Sequence, residues 1–379
     1  MKGDLKVFDS DLHVIEMGDV YEDHLAADFR DRLPKYLGWS PTNFPHWEVQ
    51  GQLIPPWAKT PEVAGAQAFL DQPTEEIYEP IREKKYDAPS TIAAMDAEGI
   101  DKAVVYRTFA HMVVSIDDLP GDLATAYCAA FNDWLSDYCS HTPDRLKPSA
   151  IVSLHDPELA AAEARRAVRD KGHVAVVLLP MPVKGRNLNA PECDILWREI
   201  DALGVPLAFH GTSGAASKDY VSNRFWGHPN YRTLNHASAF PFELMLAMGA
   251  MTAGGVLERF PSLKVAFLEG NCGWLPWWLE RLDDQWKKYG GGETQSLSAL
   301  PSEYFLRQCF IGTDVDEELL ATVVDQYGDD NVVMSVDYPH ADGPFPNGVQ
   351  EFLELPGVAL ESKRKIMWDN CLRLYGFAE

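Results

Sequence analysis

The sequence predicts an α/β protein, and within that class a closed (β/α)8 barrel, on three observations. Short β-branched runs alternate with longer helical stretches along the chain, the mark of a parallel sheet with crossover helices. Eight such units can be counted, which favours a barrel over an open doubly wound sheet. Several of the runs end on His, Asp or Glu, as expected where the C-terminal ends of barrel strands gather on one face. The 379 residues suit one such barrel with insertions, read here as a single domain over residues 1–379.

The first strand is predicted over residues 6–14, apolar at its start and polar at its tip (Asp9, Asp11, His13). A helix over 90–98 closes at Gly99 and leads to a second strand at 102–106. A third strand, 149–154, precedes an Ala-rich helix that opens at Asp156-Pro157-Glu158 and stops at Gly172. The fourth follows at 174–179, then a helix over 195–203 stopped at Gly204. A fifth strand, 205–209, delivers His210, and a sixth, 263–268, delivers Glu269. The seventh, 309–313, precedes Asp316-Glu317-Glu318, whose carboxylates suit a helix N-terminus. The eighth, 331–336, delivers Asp337.

Two segments fall outside the repeat: an insertion over about 21–88, rich in Pro, Trp and Tyr, and an irregular stretch over 211–235. Both are expected over the barrel mouth. Trp39, Trp47 and Trp57 look exposed, which makes the insertion a lid, a contact in a homodimer, or both. The apolar run over 239–260 is broken by Glu243, Gly249, Gly254, Gly255 and Glu258, so a buried helix is expected there and not a membrane span. Gly290-Gly291-Gly292 reads as a flexible break in a loop.

A net charge of −24 argues against binding to nucleic acid or to anionic membranes. The start of the chain has no secretory pattern, and the six cysteines show no CxxC or close pair, so reduced core thiols and a cytoplasmic location are expected. No GxGxxG follows the first strand, which sets aside a nicotinamide dehydrogenase.

The chemistry gathers at the strand ends. Asp11 and His13, two apart on a strand, point to one side, and His210 and Asp337 end the fifth and eighth strands. Taken singly, each has a plainer role: a surface or capping group for Asp11 and His13, a core histidine for His210, a turn residue before Pro339 for Asp337. Together on one barrel face they form a metal site of nitrogen and carboxylate oxygen. Such a site suits one Zn²⁺ or Mn²⁺, with Fe²⁺ or Mg²⁺ as further choices, better than Ca²⁺.

The strings FDSDLHVIE, MDAEGIDKAVVY, GVPLAFHG, GGVLERFPSLKVAFLEGNCGWLPWWLERLD, SVDYPHADGPFPN and KIMWDNCLRLYGF, in that order, cover nearly the whole chain. They resemble the amidohydrolase-related branch of the amidohydrolase superfamily, which includes aminocarboxymuconate-semialdehyde and resorcylate-type decarboxylases. The resemblance implies a distorted (β/α)8 TIM barrel with one catalytic divalent metal held by Asp11, His13, His210 and Asp337. Many relatives carry His-x-His on the first strand, so Asp11 is a departure that favours a harder ion. A second departure is Glu269, where the semialdehyde decarboxylase has a histidine acting in proton transfer. Glu269 has two readings, an acid or base raised by burial and a clamp for the loop 270–273. His236 matches a histidine common in the branch and either acts on substrate or on a metal ligand, or caps the helix that follows it.

Arg107, after the second strand, suits a substrate carboxylate or a structural salt bridge. His340 touches substrate or orients the loop after Asp337, and Glu16 is a further candidate near the site. The reading that follows is a metal-dependent enzyme on a small aromatic or cyclic carboxylated substrate, decarboxylation ahead of hydrolysis of a C–N, C–O or C–C bond or ring hydration. In the first, Asp337 moves a proton to or from the ring carbon. In the second, it is the general base, with Glu269 or His236 helping the leaving group. A non-catalytic ligand-binding barrel is the third.

Overall fold

A computed structural model describes residues 5–17, 19–39, 45–56, 75–217, 219–293, 296–340 and 343–378. Eleven strands are present among them: β1 (Phe8–His13), β2 (Lys35–Trp39), β3 (Pro45–Val49), β4 (Gln52–Ile54), β5 (Lys102–Tyr106), β6 (Leu146–Ile151), β7 (Ala175–Leu178), β8 (Leu207–His210), β9 (Val265–Leu268), β10 (Cys309–Asp314) and β11 (Val332–Ser335). Eight form one parallel sheet in the order β1-β5-β6-β7-β8-β9-β10-β11. Their side chains are buried on both faces, which is why they read as continuous Val, Ala, Leu and Phe runs and not as alternating ones.

Between β1 and β11 the closure rests on a backbone hydrogen bond just beyond β11 and on side chains. His13 N–H donates to Tyr338 O (2.8 Å), and Ser10 Oγ donates to Met334 O (2.9 Å). Ser335 Oγ donates to Asp11 O (2.7 Å), and Asp9 accepts from the N–H groups of Val336 and Asp11. The barrel is therefore distorted at the seam that carries the first and last site residues. Burial pushes the Asp9 carboxyl up to about 7, although the two N–H donors pull the other way.

The expected helix ends are where the capping chemistry puts them. Asp156 accepts from Glu158 N–H and Leu159 N–H at the start of the helix Pro157–Lys171, which ends at Gly172 in the left-handed conformation. Other expectations need correction. Strand β6 starts three residues before the predicted 149–154 and takes in Pro148, whose carbonyl still accepts from Val174 N–H. The run over 239–260 is two helices, Pro241–Met251 and Val256–Arg259, and the first exposes Phe242 and Leu246 instead of being buried all round. Residues 316–318 precede the helix Leu320–Tyr327, since Glu317 turns back to accept from Cys272 N–H and Gly273 N–H. Gly290–Gly292 forms a 3-10 turn directly after the helix Leu275–Tyr289.

The described part of the insertion is more ordered than its composition suggests. It contains the helices Asp19–His24 and Glu75–Glu83, and β2, β3 and β4 pair as an antiparallel sheet. Trp47 is 1% exposed and lies between the rings of Tyr36 (5.6 Å) and Phe109 (5.8 Å), so it fixes the insertion to the loop after β5 and offers nothing to a second subunit. The side chain of Trp39 and all of Trp57 lie outside the described residues. All six cysteines are free and buried. Among the described residues no helix is long and apolar enough to cross a membrane.

Candidate metal centre

Strand β1 reaches the site through a bulge. Asp9 pairs with Ala103 and Leu12 with Val105, so Ser10 and Asp11 together oppose Val104. Despite the interrupted alternation, Asp11 Oδ1 lies 3.6 Å from His13 Nε2. His210, at the end of β8, brings its Nε2 to 3.2 Å from both Asp11 Oδ2 and His13 Nε2. Glu269 follows β9, and its Oε2 lies 2.6 Å from His210 Nε2 and 3.3 Å from His13 Nε2. Asp337 Oδ1, after β11, lies 3.4 Å from His13 Nε2. Glu269 and Asp337 both hold left-handed backbone (φ 54° and 56°), a conformation that costs a non-glycine residue energy and is retained where the surroundings impose it.

The hydrogen bonds decide what this cluster can hold. His13 Nδ1 donates to Arg107 O (2.8 Å) and His210 Nδ1 to Gly211 O (2.9 Å), which assigns the proton to Nδ1 in both rings. Both Nε2 lone pairs therefore face each other and three carboxylates. Such a convergence is repulsive without a cation. Asp11, on a residue 2% exposed, keeps its Oδ1 buried with no hydrogen bond. A metal bonded at 2.0–2.2 Å to each donor would separate neighbouring donors by about 3.0–3.4 Å, which is the spacing found across most of the cluster. The residues fit a divalent ion of mixed nitrogen and oxygen preference.

The donors fall into two overlapping sets, each mutually within 4.8 Å: Asp11, His13, His210 and Glu269, and His13, Glu269, Asp337 and His340. The electrostatics also ask for positive charge. Burial and Arg107 push the His210 imidazole down, but Asp11 and Glu269 outweigh them and raise it to about 9. Burial raises Glu269, yet His210 and His13 beside it hold its carboxyl well below the usual range. Burial, reinforced by His340, pulls His13 down to about 4.

The His340 ring lies against that of His13, centroids 4.2 Å apart and tilted by 34°, and its Nδ1 lies 2.8 Å from Asp337 Oδ1. Its Nε2 lies 3.0 Å from Thr108 Oγ1. Thr108 spends its own proton on Val14 O (2.7 Å), so it accepts from His340 Nε2–H. With Nε2 protonated, the contact between Nδ1 and Asp337 needs one further proton, carried on one partner or the other. Asp337 and His340 thus form a proton-holding pair at the edge of the cluster.

Arg107 is placed at the same mouth but is largely committed to the frame. It is 2% exposed, its Nε donates to His111 Nδ1, and its Nη2 donates to the carbonyls of His210 and Gly211. Glu16 is buried and accepts from the N–H groups of Thr108, Phe109 and Ala110, which holds the loop after β5. His236 sits on the exposed side of the helix Tyr231–Ala239, at 5.1 Å from the ring of Phe240, which itself lies against Gly211. The N-cap position of the next helix is Phe240. The loop-clamping role weighed for Glu269 belongs instead to Glu317.

Beside the cluster is a crevice lined by Ser10, Asp11, Glu269, Thr313, Asp314 and Asp337, with Leu268, Gly312 and Ser335 behind. Sequence reading missed Thr108 and Asp314. Asp314 was legible as the polar tip of the seventh barrel strand, one residue past the predicted end; Thr108 carried no signal of its own.

The amidohydrolase family profile matches residues 42–377. The chain belongs to the amidohydrolase family. Among curated relatives, a gamma-resorcylate decarboxylase of Polaromonas sp. is 24% identical over 296 residues, 75% of this chain and 86% of that protein. Among solved structures, an amidohydrolase of Mycobacterium avium subsp. paratuberculosis superposes with a TM-score of 0.77 at 23% identity, covering 98% and 100% of the two chains. The 5-carboxyvanillate decarboxylase of Novosphingobium aromaticivorans, solved with manganese and 4-hydroxy-3-methoxy-5-nitrobenzoic acid, gives 0.69 at 21% identity, covering 100% and 98%. These likenesses establish the amidohydrolase barrel for the whole chain, and the strand-end cluster occupies the C-terminal face where such barrels place their chemistry.

Proposed function

We propose that this amidohydrolase is a metal-dependent carboxy-lyase that removes CO2 from a small aromatic carboxylic acid. Asp11, His13, His210 and Asp337 hold one divalent ion, and Glu269 supplies a fifth donor. Three carboxylates against two imidazoles favour Mn²⁺ over Zn²⁺, in line with the manganese bound by the carboxyvanillate decarboxylase. The ion, when bound, fixes the substrate's carboxylate or an adjacent oxygen and offsets negative charge as the C–C bond breaks.

The protein's own part is to position the substrate and move a proton. The electron pair of the broken bond stays on the ring carbon, CO2 leaves, and that carbon takes the proton held between Asp337 and His340. The observation that carries the reading is this pair, 2.8 Å apart, beside a donor cluster already matched to a cation. Relatives that decarboxylate aromatic acids support it. Incubation with Mn²⁺ and a panel of hydroxybenzoates should release CO2, and no release from any member would contradict it.

The insertion over about 21–88 roofs the pocket, and Arg107 steadies the mouth more than it grips substrate. His236 acts through Phe240 and Gly211 on His210. The protein is cytoplasmic and a homodimer, its contact built on Phe242, Leu246 and Trp277, which are 46%, 54% and 60% exposed. Sedimentation as a 42.4 kDa particle at micromolar concentration would contradict the dimer.

A further inference from the structure

We infer that Asp314, at the end of β10, selects the substrate by a group on the ring remote from the reacting carboxylate: it accepts an O–H or N–H donor and turns away a second anion. The inference rests on the decarboxylase reading for the orientation of the ring and deepens it.

The crevice beside the cluster has four carboxylates in its lining, those of Asp11, Glu269, Asp314 and Asp337, and no Lys, Arg or His. Three of them belong to the metal cluster, where a divalent ion offsets their charge. Asp314 stands outside both donor sets; burial, with Glu317 and Asp316 beside it, pushes its carboxyl up to about 7, so above that pH it is an anion that the ion does not offset. It is solvent-accessible, so a ligand can reach it.

Its placement is built rather than incidental. Asn271 Nδ2 donates to Asp314 Oδ2 (2.6 Å) from a left-handed backbone (φ 58°). The next two N–H groups of that loop, at Cys272 and Gly273, are held by Glu317, which also accepts from Thr313 Oγ1 (3.0 Å). The crevice also receives the buried Asp11 side chain, whose Oδ1 has no hydrogen bond. A ring anchored at the ion by its carboxylate turns its other edge to Thr313 and Asp314. There a hydroxyl or amino group meets an acceptor, and above pH 7 a carboxylate meets a like charge that Glu317 and Asp316 reinforce.

The test is calorimetric binding, at about pH 8.5 where a carboxyl pushed up to about 7 is ionised, of benzoate and of its hydroxy, amino and second-carboxylate derivatives to the Mn²⁺-loaded protein, wild type against Asp314→Asn. Wild type should favour donor-bearing rings over benzoate and disfavour the dicarboxylates. The variant should lose roughly tenfold in affinity for the donor-bearing rings, gain for the dicarboxylates and leave benzoate unchanged. Equal shifts for every ligand, or none, would overturn the assignment. Circular dichroism confirms that the near-isosteric variant is folded. Failure of the enzymatic reading appears separately, as a lack of CO2 release by wild type from every acid tested.

Discussion

Glu269 Oε2 lies 2.6 Å from His210 Nε2, at the ends of the paired strands β9 and β8. The contact brings a carboxylate from the sixth barrel strand into the donor cluster itself. Because His210 Nδ1 is already committed to Gly211 O, its Nε2 meets that carboxylate through its lone pair unless a cation or a proton lies between them. The site is thereby more anionic than Asp11 alone makes it, and several consequences can be measured.

Glu269→Gln should weaken metal binding by at least the roughly 10–100-fold that follows loss of even an outer partner of a ligand. It should also move preference towards Zn²⁺, since one hard anionic donor is gone. Equilibrium dialysis with elemental analysis reads both. Unchanged affinity would return Glu269 to a purely acid–base or structural role.

His340→Gln should lower kcat by roughly 100-fold while KM and metal content stay near wild type. Thr108→Val, which removes the acceptor for His340 Nε2–H, should act in the same direction and less strongly. A rise in KM alone would mean that His340 only shapes the loop after Asp337.

Arg107→Met should destabilise the fold by about 3 kcal/mol, because it takes the Arg107 donor from the carbonyl of His210 and the Nδ1 of His111 and leaves Gly211 O with the His210 Nδ1 donor alone. Denaturant titration measures this. A fully stable variant with a raised KM would restore the substrate-clamp reading of Arg107.

Stability should also fall in mild acid for a reason remote from the site. Burial pulls the His173 imidazole down to about 4, and its Nε2 is held near Ser136 Oγ (2.9 Å) and Asn132 O (3.1 Å). The unfolded chain protonates this group near 6.5 and the folded chain does not. The stability present above pH 6.5 is therefore lost as pH falls towards 4, on the order of 3 kcal/mol in all. His173→Gln should flatten that part of the pH–stability curve. An unchanged slope would remove His173 as its source.

The barrel was legible because its signals are local. Eight apolar runs, the Asp156 cap and the glycine stop at 172 are each readable within a few residues. Asp11, His13, His210 and Asp337 were legible as strand tips; the fold groups the first three with Glu269, and Asp337 with His13, Glu269 and His340. What escaped depends on partners distant in sequence: Thr108 meets His340 across 232 positions, and Ser335 meets Asp11 across 324. The bulge at Ser10 and Asp11 is a property of the pairing with β5 and not of β1 itself. Trp47 looked exposed because its neighbours in sequence are polar or Pro, whereas Phe109, which covers it, follows β5. Glu317 looked like a helix-start carboxylate for the same reason, since the N–H groups it serves lie more than 40 positions earlier.

The most direct test of the central claim is product analysis after incubation of the Mn²⁺-loaded protein with the hydroxybenzoate panel in water labelled with deuterium and ¹⁸O. Decarboxylation predicts CO2 together with a ring product that carries deuterium at the former carboxyl position and no ¹⁸O. A product bearing ¹⁸O without release of CO2 would contradict the account and identify the site as hydrolytic.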